Sequence, residues 1–392
     1  MRLSELLGVR PVPGAGVLVT LTQRCPLHCA HCSTDSTMAG GEPDAAALAR
    51  FVDSFGAAPV PAAARAPGPA AQSLANAPVS AVPAPPEVLM LTGGEPLLRP
   101  RLVARLADSA RAAGTRSALL TGAFFAREDR VPERIARAIR AVDHFSVSLD
   151  VFHEREVPRA DVFRLLRTVL DAGIEASIHA TGSAADDPYL GSLVAATRRA
   201  FGGRVPLLVT TVRPVGRAAA WSTARPVAAD GSPLPCPMAA WPVVAPDGTV
   251  TACCNQHVVD RRPVPEHLRL GHIAVDEWAA IRARTLSSPV LRMVRAVGPG
   301  YLASRYPDQS TETEDGGATA SPRPGYCASC RGLSAQPRVL EAARRLGSGA
   351  FGALLDQRSA QAQAEAGAVG LVRRWGSAAH AELVSAPGGD AA

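Results

Sequence analysis

Cys25-Pro26-Leu27-His28-Cys29-Ala30-His31-Cys32 places three thiols within eight residues, just after the apolar run Val17-Leu18-Val19-Thr20-Leu21. A β-branched run closing in a thiol-rich loop reads as a strand that delivers metal ligands at its end. Three thiols are one short of a closed site. Structural zinc takes four ligands, whereas an iron-sulfur cluster held by three cysteines leaves one iron open to a small molecule.

Working outward, the chain has 392 residues, room for one large domain and a smaller one. All 41 basic residues are arginine and the formal net charge is +6, but no basic run is interleaved with aromatics. A nucleic-acid partner is therefore not expected. No apolar run of about 18 residues occurs, so no membrane span is expected. The start Met1-Arg2-Leu3-Ser4-Glu5 lacks the regions of a signal peptide, and the expected location is cytoplasmic. In a reducing compartment, eight cysteines point to metal ligation or redox work rather than disulfides.

From Val17 to Pro214 short β-branched runs alternate with amphipathic stretches. The expected strands are Val17–Leu21, Val88–Thr92, Ser117–Thr121, His144–Leu149, Ala176–His179 and Val205–Val212, with the clearest helix over Arg159–Ala172. Such β-α repetition predicts a parallel sheet with right-handed crossovers, either open or a partial barrel. Each strand ends in polar chemistry: Cys25 after the first, Gly93-Gly94-Glu95 after the second, Asp150 after the fourth, His179 in the fifth, Arg213 after the sixth. Functional residues collect at the C-terminal mouth of β/α barrels, which favours one site ringed by strand ends. The stretch 57–86, with eight prolines and one charge, Arg65, reads as a disordered insert on the surface.

Leu91-Thr92-Gly93-Gly94-Glu95-Pro96-Leu97 follows the second strand. Its glycines allow close backbone approach, and its carboxylate can accept from an ammonium group. C-x3-C-x2-C at the end of one strand and Gly-Gly-Glu-Pro at the end of the next resemble the radical S-adenosylmethionine (SAM) enzymes. The resemblance implies a partial (β/α)6 TIM barrel, a [4Fe-4S] cluster on Cys25, Cys29 and Cys32, and SAM chelating the open iron. It implies Gly93, Gly94, Glu95 and Pro96 at the SAM amino group, and Ser148 and Asp150 near the ribose and substrate. His31 stands where the family often has an aromatic residue stacking near adenine. His179 and Arg213 are cofactor-site candidates by their strand ends, and Asp150 and His153 are candidates for acid-base work, against a solvated pair or a helix cap. An electron donor such as a flavodoxin or ferredoxin is also implied.

Past Pro214 lie Cys236, Cys253, Cys254, Cys327 and Cys330. Val243-Val244, the turn Pro246-Asp247-Gly248-Thr249 and Val250 read as a hairpin. Cys236, Gly248 and Cys253 resemble the opening C-x(9-15)-G-x4-C of SPASM and twitch extensions, which bind auxiliary clusters. Five thiols suit one auxiliary [4Fe-4S] cluster on Cys236, Cys253, Cys327 and Cys330, as in a twitch domain; four-cysteine zinc is the alternative. Cys254 is left over, either packed in the hairpin or a hydrogen-atom donor to a substrate radical. The expected organisation is 1–214 as barrel, 215–335 as auxiliary domain and 336–392 as a helical tail, with helices over Val339–Arg345 and Leu354–Arg374, a flexible loop over Thr311–Pro324 and a disordered end from Ser385.

The family chemistry implied is reductive cleavage of SAM to a 5′-deoxyadenosyl radical that takes hydrogen from a substrate. The first substrate expectation is a ribosomally made peptide. The second is an alcohol of a carbohydrate or aminocyclitol, and cobalamin-dependent methylation is disfavoured. A non-catalytic zinc scaffold is the reading from another class.

Overall fold

The computed structural model describes residues 1–56, 84–128, 130–184, 186–223, 231–307 and 325–385. Most of the expected insert at 57–86, the loop at 311–324 and the end from 386 lie outside the described residues.

Six strands, β1 (Gly16–Thr20), β2 (Val88–Thr92), β3 (Arg116–Thr121), β4 (His144–Ser148), β5 (Glu175–Gly182) and β6 (Leu207–Thr211), pair in parallel and in chain order. Helices Pro100–Ala112, Glu133–Ala141, Arg159–Asp171 and Pro188–Phe201 make the crossovers from β2 onward. This is the expected α/β arrangement of six β-α units. Strand alternation sorts the side chains: Val19, Leu89, Leu91, Leu119, Phe145 and Ile178 lie under the helices in the main core, meeting Phe51, Leu106 and Leu166. Between them, Val88, His144, Ser146 and Ser177 belong to the opposite face.

That inner face is closed at one end by both chain termini. Leu3 and Leu6 of the helix Leu3–Gly8 meet Val88, Ala118 and Trp241, together with Val372 of the helix Gly367–Trp375 and Val384 beyond it. The His144 ring, its pKa lowered to about 4 by burial, sits with Nδ1 2.9 Å from the Met1 carbonyl oxygen and Nε2 2.8 Å from Ser177 Oγ. The C-terminal segment is thus a structural part of the barrel: the Ser377 amide donates to the Val209 carbonyl oxygen at 3.0 Å, covering the β6 edge.

Beyond β6 the chain adds to the same sheet. β7 (Val243–Val244) pairs in parallel with β1, and β8 (Thr249–Thr251) and β9 (Arg269–His272) follow antiparallel. The hairpin was expected; its seat on β1 and the third strand were not. The expected helix over Leu354–Arg374 is two helices, Gly349–Glu365 and Gly367–Trp375, because Gly367 takes φ +65° and breaks the run.

One buried ion pair ties these helices to the turn after Cys236. Arg295 donates through Nε and Nη2 to both Asp356 carboxylate oxygens at 2.8 and 2.6 Å, and through Nη1 to the carbonyls of Thr285 and Ala239 at 3.1 and 3.4 Å. Asp356→Ala strands a buried guanidinium and is expected to cost about 3–5 kcal/mol, against about 0–1 kcal/mol for Glu382→Gln in the exposed pair with Arg373. Urea unfolding of the two variants checks the contrast.

Candidate functional site

The first thiol loop is held by its neighbour strand. The Leu21 amide donates to the Thr92 carbonyl at 2.8 Å, Gly94 N to Thr22 O at 2.6 Å and Glu95 N to Arg24 O at 2.8 Å. A Cβ on Gly93, which has φ +148°, would stand 2.3 Å from Thr22 O, and one on Gly94 2.4 Å from Arg24 O. The two glycines are needed first for this backbone-on-backbone contact. It locks the ends of β1 and β2 together.

A cavity of about 350 Å³ opens beside that lock. All six parallel strands supply its walls: the loop after β1 with Cys25, Cys29, His31 and Cys32, then Gly93 and Gly94, Thr121, Ser148 and Asp150, His179 and Thr181, and Arg213. His153 also lines it. The anticipated residues therefore meet in one place, with three differences.

Glu95 is fully buried and turned away from the cavity. Its carboxylate accepts from Leu97 N at 2.9 Å, Thr121 Oγ1 at 2.8 and 2.9 Å, and Gly122 N at 2.9 Å. Burial pushes its pKa up to about 7 against the pull of those donors. In this arrangement the Glu95 side chain ties the ends of β2 and β3. Pro96 is likewise buried, as the first residue of the short turn Pro96–Leu98. Cys254 does not line this cavity; it stands beside the second thiol set and packs against Val243, Ala245 and Val259 at the hairpin.

Asp150 is an organiser rather than an exposed ligand. Oδ1 accepts from the amides of Phe152 and His153, both at 3.0 Å, and Oδ2 from Thr181 N at 3.2 Å. Around Oδ2 stand His153 Nδ1 at 3.0 Å and His31 Nε2 at 3.4 Å. His31 stacks on Phe152, ring centroids 4.5 Å apart, and meets His153 edge-on at 4.9 Å. Burial is opposed by the two partners' charges in this pair, and the Asp150 pKa falls to about 2 while that of His153 rises to about 10. His31 and His179, where burial dominates, are lowered to about 4. The three facing atoms of His31, Asp150 and His153 lie within 4.8 Å of one another, a spacing that a cation can also bridge.

The donor set suits an iron-sulfur cluster. Burial pushes the Cys25 thiol up to about 12, with Glu95, Cys29 and Cys32 adding to the rise. Crowded, buried thiols become thiolates only beside a compensating cation, which iron provides.

A strap that the sequence did not reveal crosses this loop. Arg217 donates to the Cys29 carbonyl oxygen through Nη1 at 2.8 Å, to Ser36 O through Nη2 at 2.5 Å and to Asp35 through Nε at 3.0 Å; its amide donates to Cys32 O at 2.9 Å. Trp221 Nε1 donates to Ala30 O at 2.9 Å. Nothing in the local pattern marks these two residues.

The remaining thiols form a second nest. Cys236 is pushed up to about 11 by burial and by Cys327; Cys253 and Cys330 are raised by burial and by neighbouring thiols, and Cys327 is raised by burial against the opposing pull of Arg213 and Arg331. Arg213 therefore faces both the cavity and this nest, and it donates to the Trp375 carbonyl oxygen at 2.9 Å. Among the described residues, the cysteines form no set of three sulfurs within 4.8 Å of one another.

Residues 19–183 match the family described as Radical SAM superfamily. No curated protein matches it. Among solved structures, Streptococcus suis SuiB bound to precursor peptide SuiA is similar at 11% identity over 82% of this chain and 76% of that one, TM-score 0.48. Native anSMEcpe with bound AdoMet and Cp18Cys peptide is similar at 12% identity over 84% of this chain and 99% of that one, TM-score 0.45. The matched family implies a [4Fe-4S] cluster and SAM, and the three-thiol loop lies within the matched residues. No described helix is long and apolar enough to cross a membrane.

Gly94→Val should break the lock between strand ends and lower the iron bound by the reconstituted protein, while leaving any iron held away from the three-thiol loop. Iron and sulfide assay checks this. Arg217→Ala should retain iron at a reduced level, since the strap is lost while the thiols remain.

Proposed function

We propose that the chain is a radical SAM enzyme with one auxiliary [4Fe-4S] cluster, acting on a peptide during natural-product maturation. The observation that carries the enzyme reading is the single cavity joining the open three-thiol loop to the Gly93-Gly94 backbone at the mouth of six parallel strands. When bound there, the cluster and SAM supply a 5′-deoxyadenosyl radical.

The residues of the chain do the positioning. Cys25, Cys29 and Cys32 hold the cluster, and the Gly93-Gly94 backbone lies beside it for the amino acid end of SAM. The His31 ring, fixed on Phe152, offers a stacking face. Ser148, His179 and Thr181 furnish the polar inner wall, and burial of the site limits access of water to a reactive carbon centre.

Cys236, Cys253, Cys327 and Cys330 are the proposed auxiliary ligands, with Cys254 beside them. Arg213 lies between this nest and the cavity, which suits a cluster that exchanges an electron with the substrate. The electron for the SAM cluster comes from a donor such as a flavodoxin or ferredoxin.

The cavity volume bears on substrate class. About 350 Å³ is at the small end of the range of about 300–1,000 Å³ for ligand sites, room for one nucleoside-sized molecule. A substrate sharing it with SAM presents only its reacting end. This favours a peptide held outside the mouth over a sugar or aminocyclitol enclosed within, the second reading.

Anaerobic reconstitution should give a brown protein with about eight irons per chain, falling to about four in Cys327→Ala/Cys330→Ala. Reduction with SAM should yield 5′-deoxyadenosine, and Cys29→Ala should abolish it. A fully reconstituted wild type that makes none overturns the enzyme reading, and zinc in place of iron returns the scaffold reading. Turnover of a peptide but of no free sugar or aminocyclitol, followed by mass spectrometry, separates the substrate classes.

A further inference from the structure

We propose that the hydroxyls of Thr34 and Ser36 form a relay that ends on the Cys32 sulfur and raises the reduction potential of the cluster held there. The proposal rests on the radical SAM reading of the three-thiol loop.

Just past the last thiol of that loop, Thr34 Oγ1 stands 3.3 Å from Cys32 Sγ and 2.7 Å from Ser36 Oγ. Ser36 is buried, and all three residues line the cavity. Between the two hydroxyls Asp35 takes φ +47°, a left-handed conformation that turns the chain back so that they meet. Few residues other than glycine adopt it, Asp and Asn among them.

The segment after β6 holds this turn in shape. Arg217 donates to Asp35 Oδ1 through Nε at 3.0 Å, to Ser36 O through Nη2 at 2.5 Å and to Cys32 O through its amide at 2.9 Å. Beside it Gly216, at φ +56°, comes so close that a Cβ there would stand 2.4 Å from Cys32 O and 2.3 Å from Ser33 O. The clamp thus grips main chain on both sides of Thr34. Its β-branched side chain, restricted at χ1, keeps its hydroxyl between Cys32 and Ser36.

The chemistry of the end group fixes the direction of both bonds. A cysteine that ligates iron is a thiolate with no proton to give, so its sulfur only accepts. Thr34 has one hydroxyl proton. Spent on the sulfur, it leaves the Thr34 oxygen to accept from Ser36, the orientation that serves both contacts. A donor chain ending on a charged sulfur is charge-assisted, and each bond polarises the next. Electron density on the sulfur grows when the cluster is reduced, so the bond favours the reduced state; hydrogen bonds to sulfur are one determinant of cluster potential. The electron enters from the external donor protein, and both hydroxyls keep their protons. Ser36 is a positioning residue, acting through Thr34.

The test is a potentiometric titration of the reconstituted full chain followed by electron paramagnetic resonance, with and without SAM; the signal that SAM changes identifies the cluster at Cys32. In Thr34→Val, close in shape but lacking the hydroxyl, the ratio of reduced to oxidised cluster at a fixed poise should fall about tenfold, about 59 mV for a one-electron couple. Thr34→Ser should restore it. Ser36→Ala should lower the ratio by less; a rise instead shows that Thr34 had been donating to Ser36, and overturns the proposal. An unmoved potential in Thr34→Val also overturns it, as does a shift seen only with SAM bound, which assigns the hydroxyl to the ligand rather than to the sulfur. Iron content reports cluster retention, and if Thr34→Val loses the cluster, the sign of the Ser36→Ala shift decides. A wild-type cluster that ignores SAM would overturn the radical reading and this proposal together, a result distinct from an unmoved potential in a cluster that responds to SAM.

Discussion

The contact between the Gly93-Gly94 backbone and the Thr22–Arg24 backbone is the constraint on which the site depends. Three main-chain hydrogen bonds of 2.6–2.8 Å run between the ends of β1 and β2, at a separation that leaves no room for side chains on either glycine. Because the cysteine loop starts at Arg24, this lock sets where the thiols begin. Glu95 extends the tie to β3 through Thr121 and Gly122, at the expense of a fully buried carboxylate. Three strand ends are thereby held as a unit before any cofactor is considered.

Around that unit the protein concentrates groups that are unstable alone. Buried thiols stand together in two nests, and a buried aspartate stands between two histidines. A charge is costly in a low-dielectric interior unless opposite charge compensates it. In the Asp150 site the compensation is within the chain; the thiols, whose ionisation burial opposes, become thiolates only beside a bound cation. Arg213 and Arg217 sit at the borders, one between the cavity and the second nest, the other across the first loop. The C-terminal helices brace the whole by filling the inner face and covering the β6 edge.

Much of the fold was legible because its signals are local. All six expected barrel strands start within two residues of the observed ones; Ala176–His179 stops short of the observed Glu175–Gly182, and Val205–Val212 was drawn longer than Leu207–Thr211 because its apolar character continues beyond the paired segment. The thiol spacing and the Gly-Gly-Glu-Pro turn were legible for the same reason. What those residues do was less so. Gly93 and Gly94 were read as making space for a ligand and also make space for backbone; Glu95 was read as a ligand of a bound molecule and Asp150 as a site residue or a helix cap, and both accept from amides of the chain, Glu95 also from the Thr121 hydroxyl. Spacing reveals which chemical groups are near one another, but the direction of a side chain depends on neighbours that arrive from other strands.

The sequence by itself determined the β-α repetition, the two groups of thiols and the resemblance of residues 19–183 to radical SAM proteins, since periodicity and short motifs are properties of adjacent residues. Tertiary structure alone decided that the hairpin after Cys236 extends β1, that Cys254 joins the second nest, and that Arg217 clamps the first loop. Arg217 and Cys29 are 188 positions apart, and their contact exists only because six strands curve until the segment after the last one returns to the loop after the first.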